Sequence, residues 1–272
     1  MDAANIELIA GQINKKIGVS ICGAKNRLGP RQGLSFWFEN YNRGNGPLFS
    51  IRPSGFKRHI VSVEFGPYAG PCVEHIQNRA TQEDFQLAYA FISHLKEHFT
   101  VAIRPEVTFT NREMSGDFSI EVTRTVSDLH GTPSIAETIE MVMVPLIAAM
   151  AELIGYEEHS EGDEENDIAD VEGVLTLALI RKRERSPRNR WLCLALHGDV
   201  CNVCGFEPQN FYDDEIDSII EVHHIEPLSE SACPRSYDPK TDLIPLCPNC
   251  HRAIHKRKPA FTPSELKGLL LG

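Results

Sequence analysis

The chain has 272 residues, of which 42% are hydrophobic and 24% charged, a composition that suits a globular protein with room for two domains. The net charge of −11 comes mainly from residues 156–172, which include nine acidic and no basic side chains, so it says little about what the flanking parts bind. There is no charged-then-apolar leader, and the longest apolar run, 141–154, contains a proline and is too short to span a bilayer. These features favour a soluble cytoplasmic protein and exclude the secreted and membrane classes.

Residues 1–155 predict an α+β domain with a mostly antiparallel sheet. Isoleucines at helical spacing mark a helix over residues 3–17, which a Gly-rich stretch follows. Thr81 predicts the N-cap of a second helix, while Ser134 and Glu137 predict a capping box for a long third helix, in which Pro145 is a candidate kink. Five strand-like runs complete the domain: 34–39, 48–52, 59–65, 101–109 and 117–125.

The segment 156–170 is rich in Glu and Asp without apolar periodicity, which predicts a solvated linker. A second domain is therefore predicted over residues 171–272. No convergent set of His, Cys and Asp lies before residue 196, so we expect the first domain to select a target or a partner. Its clustered aromatic residues predict either a base-stacking surface beside arginines or, as is more common, a sheet core: Phe36, Trp37, Phe38, Tyr41 and Phe49.

Two CxxC pairs stand out in the second domain. Cys201 with Cys204 and Cys247 with Cys250 predict a Zn²⁺ ion held by four thiolates. Such a site leaves no open position, so the zinc would be structural and would staple a small module. Cys233 is an alternative ligand, and so is a histidine that replaces one of the cysteines.

Four histidines accompany these cysteines. His223 and His224 end a short β-branched stretch, and His251 and His255 lie four apart, on one face of a predicted helix. Imidazoles bind divalent cations, and a histidine with a pKa near ~6.5 can also take a proton from water. Because adjacent strand residues point to opposite faces, His223 and His224 would share one pocket only where the strand ends or bulges. An ordinary packed histidine is the alternative for either.

Over roughly the last third of the chain these residues resemble the signature of the HNH endonucleases, the ββα-metal nucleases. The resemblance implies that His224 is the general base. It implies that His223 and His251 bind a catalytic Mg²⁺ or Mn²⁺, with His255 as an extra ligand or a phosphate contact. It also gives Asp242 the middle position, where the family name implies Asn; Asp accepts hydrogen bonds but cannot donate as an amide does. A turn or helix-cap aspartate is the alternative reading of Asp242.

The activity implied by this resemblance is metal-dependent cleavage of DNA in restriction or phage defence, because such modules are often fused C-terminally in modification-dependent restriction enzymes. A non-cleaving zinc module that binds nucleic acid is one alternative. A nuclease subunit bound to other defence-system proteins, or to a homodimer partner, is another. Phosphate contacts are predicted at four basic residues near the motif, against the alternative of a solvated basic surface: Arg185, Arg188, Arg252 and Lys256.

Overall fold

The chain divides into two compact units, Met1–His159 and Ser160–Gly272. Residues 157–170 of the predicted linker lie outside the described residues. So do residues 171–186, which include Arg185, and so does Cys233. The computed structural model describes residues 3–28, 31–156, 187–213, 216, 218–225, 239–257 and 259–271.

The first unit contains a six-stranded sheet with the strand order β1-β2-β3-β4-β6-β5. Every neighbouring pair of strands is antiparallel. This confirms the predicted α+β class with a mostly antiparallel sheet. The strands are β1 Ile21–Leu28, β2 Arg31–Phe38, β3 Pro47–Ser54, β4 Arg58–Phe65, β5 Thr100–Arg104 and β6 Ser119–Thr125.

Alternate residues of the central strands build the core of this unit. Phe36, Phe38 and Phe49 are fully buried, and Phe38 stacks on Tyr156 with 5.7 Å between ring centroids. These phenylalanines therefore belong to the sheet core, whereas Trp37 occupies the opposite face. The helices of the unit are α1 Ala3–Ile17, α2 Gly70–Arg79, α3 Gln82–His98, α4 Thr108–Asn111, α5 Thr132–Thr138 and α6 Val144–Ile154.

Two local predictions for this unit are wrong, and strand β1 was not predicted. The Gly-rich stretch is part of the β1–β2 hairpin, in which Gly23 pairs with Phe36. The strand predicted over 101–109 ends at Arg104, because the following proline has no N–H for the ladder. The capping box at Ser134 does not form: Gly131 is the N-cap, and Glu137 instead pairs with Arg124 at 2.7 Å. The N-cap predicted at Thr81 is confirmed, since its side chain accepts from the backbone N–H of Asp84.

The helical segment Thr132–Ile154 passes through a π-helical turn, Ile139–Met143, just before Pro145. With 23 residues it is long and apolar enough to cross a membrane, the one such segment among the described residues, which corrects the expectation that the apolar run is too short. Inside the unit 67% of its most apolar window is buried, and α6 packs against α3. That burial is the pattern of a core helix.

The described part of the second unit consists of one hairpin and short helices. Strand β7 Glu221–His224 pairs antiparallel with β8 Leu243–Leu246. Its core includes Val203, Ile220 and Ile254, all nearly inaccessible to solvent. Arg190 donates from Nε to the carbonyl of Ile220 at 3.1 Å and so ties the first helix to the start of β7. The helices are α7 Pro187–His197, α8 Pro239–Asp242, α9 Pro248–Ile254 and α10 Pro263–Gly268.

Candidate metal centres

A hairpin followed directly by a helix brings the cysteines and histidines together. Strand β8 ends at Leu246, and Cys247 then caps helix α9, its Sγ accepting from the backbone N–H of Cys250 at 3.5 Å. Pro248 occupies the first turn, where its missing N–H costs nothing. The CxxC sequence therefore acts both as a helix start and as a pair of thiol ligands.

The four cysteines form one cluster, as predicted. The sulfur atoms of Cys201, Cys204, Cys247 and Cys250 all lie within 4.8 Å of one another. Cys204 and Cys247 are 3.7 Å apart, close to the ~3.8 Å that tetrahedral geometry gives for Zn–S bonds of about 2.3 Å. Gly205, at φ +73°, closes the turn by donating to the Cys201 carbonyl at 2.9 Å.

The pKa values of these thiols indicate that a dication at their centre would stabilise their ionised form. Burial raises the pKa of Cys201, but hydrogen bonds from the backbone of Cys204, Cys247 and Val203 outweigh it and lower the pKa to about 7. Burial and the neighbouring thiols raise the pKa of Cys250. Without a cation the cluster thus resists becoming fully ionised, and a zinc ion is the species that stabilises four thiolates in so small a space.

A second cluster consists of three imidazoles. Ligand nitrogens of His223, His251 and His255 lie within 4.8 Å of one another. The ring centroids are 5.4 Å apart for His223 and His251, 4.8 Å for His223 and His255, and 5.1 Å for His251 and His255. Two nitrogens, Nδ1 of His223 and Nε2 of His251, are buried and have no hydrogen-bond partner among the described residues. Unpaired imidazole nitrogens that converge in this way are suited to a divalent cation.

Burial holds His223 in the form that can bind a metal. Burial first, and then the neighbouring His255, His251 and His224, lowers the pKa of His223 to about 3. Its imidazole is therefore neutral at physiological pH, with one nitrogen lone pair available for a ligand bond.

Glu221 is a residue of this site that the sequence analysis missed. Its Oε2 atom lies 2.5 Å from Nδ1 of His251, so the carboxylate accepts the Nδ1 proton and leaves a lone pair on Nε2, the buried nitrogen without a hydrogen-bond partner among the described residues. A signal for it was present in the sequence. Glu221 stands two residues before His223, and residues two apart in a strand share one face.

His224 and Asp242 lie next to the triad of imidazoles but outside it. His224 ends β7 opposite Leu243, at 7% exposure, and is not among the three clustered histidines. Asp242 is 5% exposed, and its backbone carbonyl accepts from the N–H of Ile225 at 3.0 Å. The main chain of Asp242 thus holds Ile225, the residue that follows His224. Because the acceptor is a backbone carbonyl, any amino acid at position 242 could make this hydrogen bond.

The predicted phosphate contacts differ in exposure. Arg252 and Lys256 are exposed on and just after the histidine helix α9. Arg188 is only 8% exposed, whereas a surface phosphate contact needs an accessible guanidinium. Arg252 and Lys256 are therefore the accessible members of this set, whereas Arg188 is buried in the described structure.

Comparisons with known proteins identify the segment that contains both clusters. The HNH endonuclease family model matches residues 201–257. The chain is also similar to the type IV methyl-directed restriction enzyme EcoKMcrA of Escherichia coli (strain K12), with 34% identity over 76 residues, which cover 28% of this chain and 26% of that enzyme. No solved structure matches the chain. Segment 201–257, which contains the four-cysteine cluster, is therefore similar to the HNH endonucleases.

Proposed function

We propose that this protein is a metal-dependent DNA endonuclease of restriction or phage defence whose first unit selects the target. The observation that carries the proposal is the triad of His223, His251 and His255 beside a four-cysteine cluster, inside a segment that matches the HNH endonucleases. The similarity to a restriction enzyme supports the biological setting, although the chain spans only about a quarter, 26%, of that enzyme.

In the proposed mechanism the three imidazoles would hold a divalent transition-metal ion such as Mn²⁺, and the four cysteines would hold a structural Zn²⁺; Mg²⁺, which prefers oxygen ligands, would need water in its remaining positions. When bound, the catalytic cation would neutralise charge on the scissile phosphate and the leaving oxygen. His224 takes the proton of the attacking water, which then attacks the phosphorus. Arg252 and Lys256, exposed beside the site, contact flanking phosphates.

The division between ligand and base follows from β7. Glu221 and His223 share one face of the strand, and that face meets His251 of helix α9 and His255, which caps the C-terminal end of the helix. His224 lies on the alternate face, where it is not drawn into the ligand cluster. It can therefore exchange a proton without giving up a metal bond, which is what a general base requires.

The direct test is cleavage of plasmids that carry cytosine methylation, adenine methylation or neither, with Mg²⁺ or Mn²⁺. We expect wild-type protein to nick or cut at least one of them, and His224→Ala to lose at least 100-fold in rate, the scale of general-base catalysis (about 10²–10⁴). The matched control is His130→Ala, at an exposed histidine of the first unit.

Zinc content and the circular dichroism spectrum should be unchanged in His224→Ala. Wild-type rates for that variant would remove His224 from the mechanism. Salt-sensitive DNA binding without cleavage of any substrate would instead support the non-cleaving module. Equal cleavage of all three plasmids would contradict selection of modified DNA and leave the nuclease assignment standing.

A further inference from the structure

Two histidines of the first unit have no part in the proposed nuclease. Another histidine of this unit, His59, serves the fold: its Nδ1 contacts Thr138 Oγ1 at 2.9 Å, and its Nε2 contacts the Leu129 carbonyl at 3.0 Å. His94 and His98 face each other instead, with ring centroids 5.2 Å apart at an interplanar angle of 75°. Both lie in the last turns of α3, a helix of 17 residues.

A carboxylate completes this pair. Glu97 lies three residues after His94 and one before His98, so that all three side chains rise from neighbouring positions on one side of the helix. One ligand atom from each, two imidazole nitrogens and a carboxylate oxygen, lies within 4.8 Å of the others. His94 is partly buried, whereas Glu97 and His98 are exposed, so an ion has access from solvent.

We propose that His94, Glu97 and His98 form a binding site for a zinc-class transition-metal ion. Two imidazoles and one carboxylate suit Zn²⁺, Ni²⁺ or Cu²⁺ rather than Mg²⁺ or Ca²⁺, which prefer oxygen ligands throughout. A single helical turn supplies three ligands, so water would fill the remaining position. The site belongs to the unit that the HNH match does not cover and is independent of the proposed nuclease activity.

Two further features of α3 favour a cation at this place. Burial, followed by the neighbouring His98, lowers the pKa of His94, the direction that favours the neutral imidazole. The cluster also ends the helix, where the unsatisfied carbonyls carry partial negative charge. A bound ion would link the last turns of α3 just before β5 begins at Thr100.

The test uses the full chain, already loaded with zinc at its cysteines, and titrates it calorimetrically with Zn²⁺ and with Ni²⁺. The variants are the double substitution His94→Gln with His98→Gln, the single substitution His98→Gln, and His130→Gln as a control at an exposed histidine. We expect the double variant to bind one equivalent fewer than wild type and the control to match wild type. His98→Gln should bind that equivalent at least tenfold more weakly.

A second readout does not depend on activity. Added Zn²⁺ should raise the melting temperature of the first unit in wild type and in the control, but not in the double variant. Equal stoichiometry and equal thermal shifts in wild type and in the double variant would overturn the proposal. If the double variant fails to fold, the single variant His98→Gln tests the proposal, because the His98 side chain is exposed and its replacement should leave the fold intact. Wild-type affinity for Zn²⁺ and Ni²⁺ in His98→Gln would equally overturn the proposal.

Discussion

Removal of the Glu221 carboxylate tests how the imidazole triad is oriented. In Glu221→Ala the Nδ1 atom of His251 loses the acceptor that lies 2.5 Å away, so the ring can turn and its Nε2 can take the proton. Loss of such an outer partner lowers metal affinity by about 10- to 100-fold. The Glu221 side chain is 47% exposed, and solvent screening weakens its interaction, so we expect the lower end. That is about tenfold, or ~1.4 kcal/mol of binding free energy.

The assay is calorimetric titration of zinc-loaded protein with Mn²⁺. Glu221→Gln, whose amide oxygen still accepts the Nδ1 proton, should lose less than Glu221→Ala. Glu207→Ala is the matched control, since Glu207 is exposed and its side chain bonds only the nearby Asn210 in the structure described. Nitrogen NMR of His251 should show the proton on Nδ1 in wild type. Unchanged Mn²⁺ affinity in Glu221→Ala, together with a proton on Nε2 in wild type, would refute the reasoning.

Three further outcomes are expected. Cys201→Ser should lose about one zinc per chain and unfold the second unit, measured by elemental analysis and limited proteolysis. His223→Ala should lose Mn²⁺ affinity, whereas His224→Ala should keep it and lose cleavage; the opposite pattern would exchange the two roles. Burial lowers the pKa of His59 from 6.5, so the unfolded chain binds its proton first. Stability should fall as pH drops below about 6.5, and less steeply in His59→Gln, in urea unfolding at pH 7.5 and 5.5.

The candidate site could be predicted from the sequence because much of its geometry is local. His251 and His255 are placed by helical spacing, and Cys247 and Cys250 by the start of the same helix. The sequence does not contain the pairing of β7 with β8, which brings His223 to that helix. The pairing itself was not predicted, and the role of His223 as a metal ligand was implied by the resemblance to the HNH endonucleases.

Other features were missed because tertiary contacts decide them. Glycine disfavours a β-strand, yet Gly23 lies within β1 and Gly33 lies within β2. A Cβ at Gly23 would come within 2.8 Å of two ring carbons of Phe36, and one at Gly33 would come within 2.5 Å of the Ile51 carbonyl oxygen. Glycine is required there by close approach, not by a turn. Similarly, Glu137 pairs with an arginine on a neighbouring strand instead of capping its own helix.

The two adjacent histidines show why register matters more than residue type in this site. His223 pairs with Ile244 and His224 with Leu243, so each points to a different side of the hairpin. A shift of one residue in β7 would turn His224 toward helix α9 and carry Glu221 away from His251. His224 would then take the position of the metal ligand and His223 would leave it, although the sequence had not changed. The link from the Asn202 N–H to the Pro245 carbonyl, 2.9 Å long, fastens β8 to the cysteine turn. In the proposed enzyme a zinc ion at the four cysteines would therefore support catalysis indirectly, because it would fix the strand against which β7 sets its register.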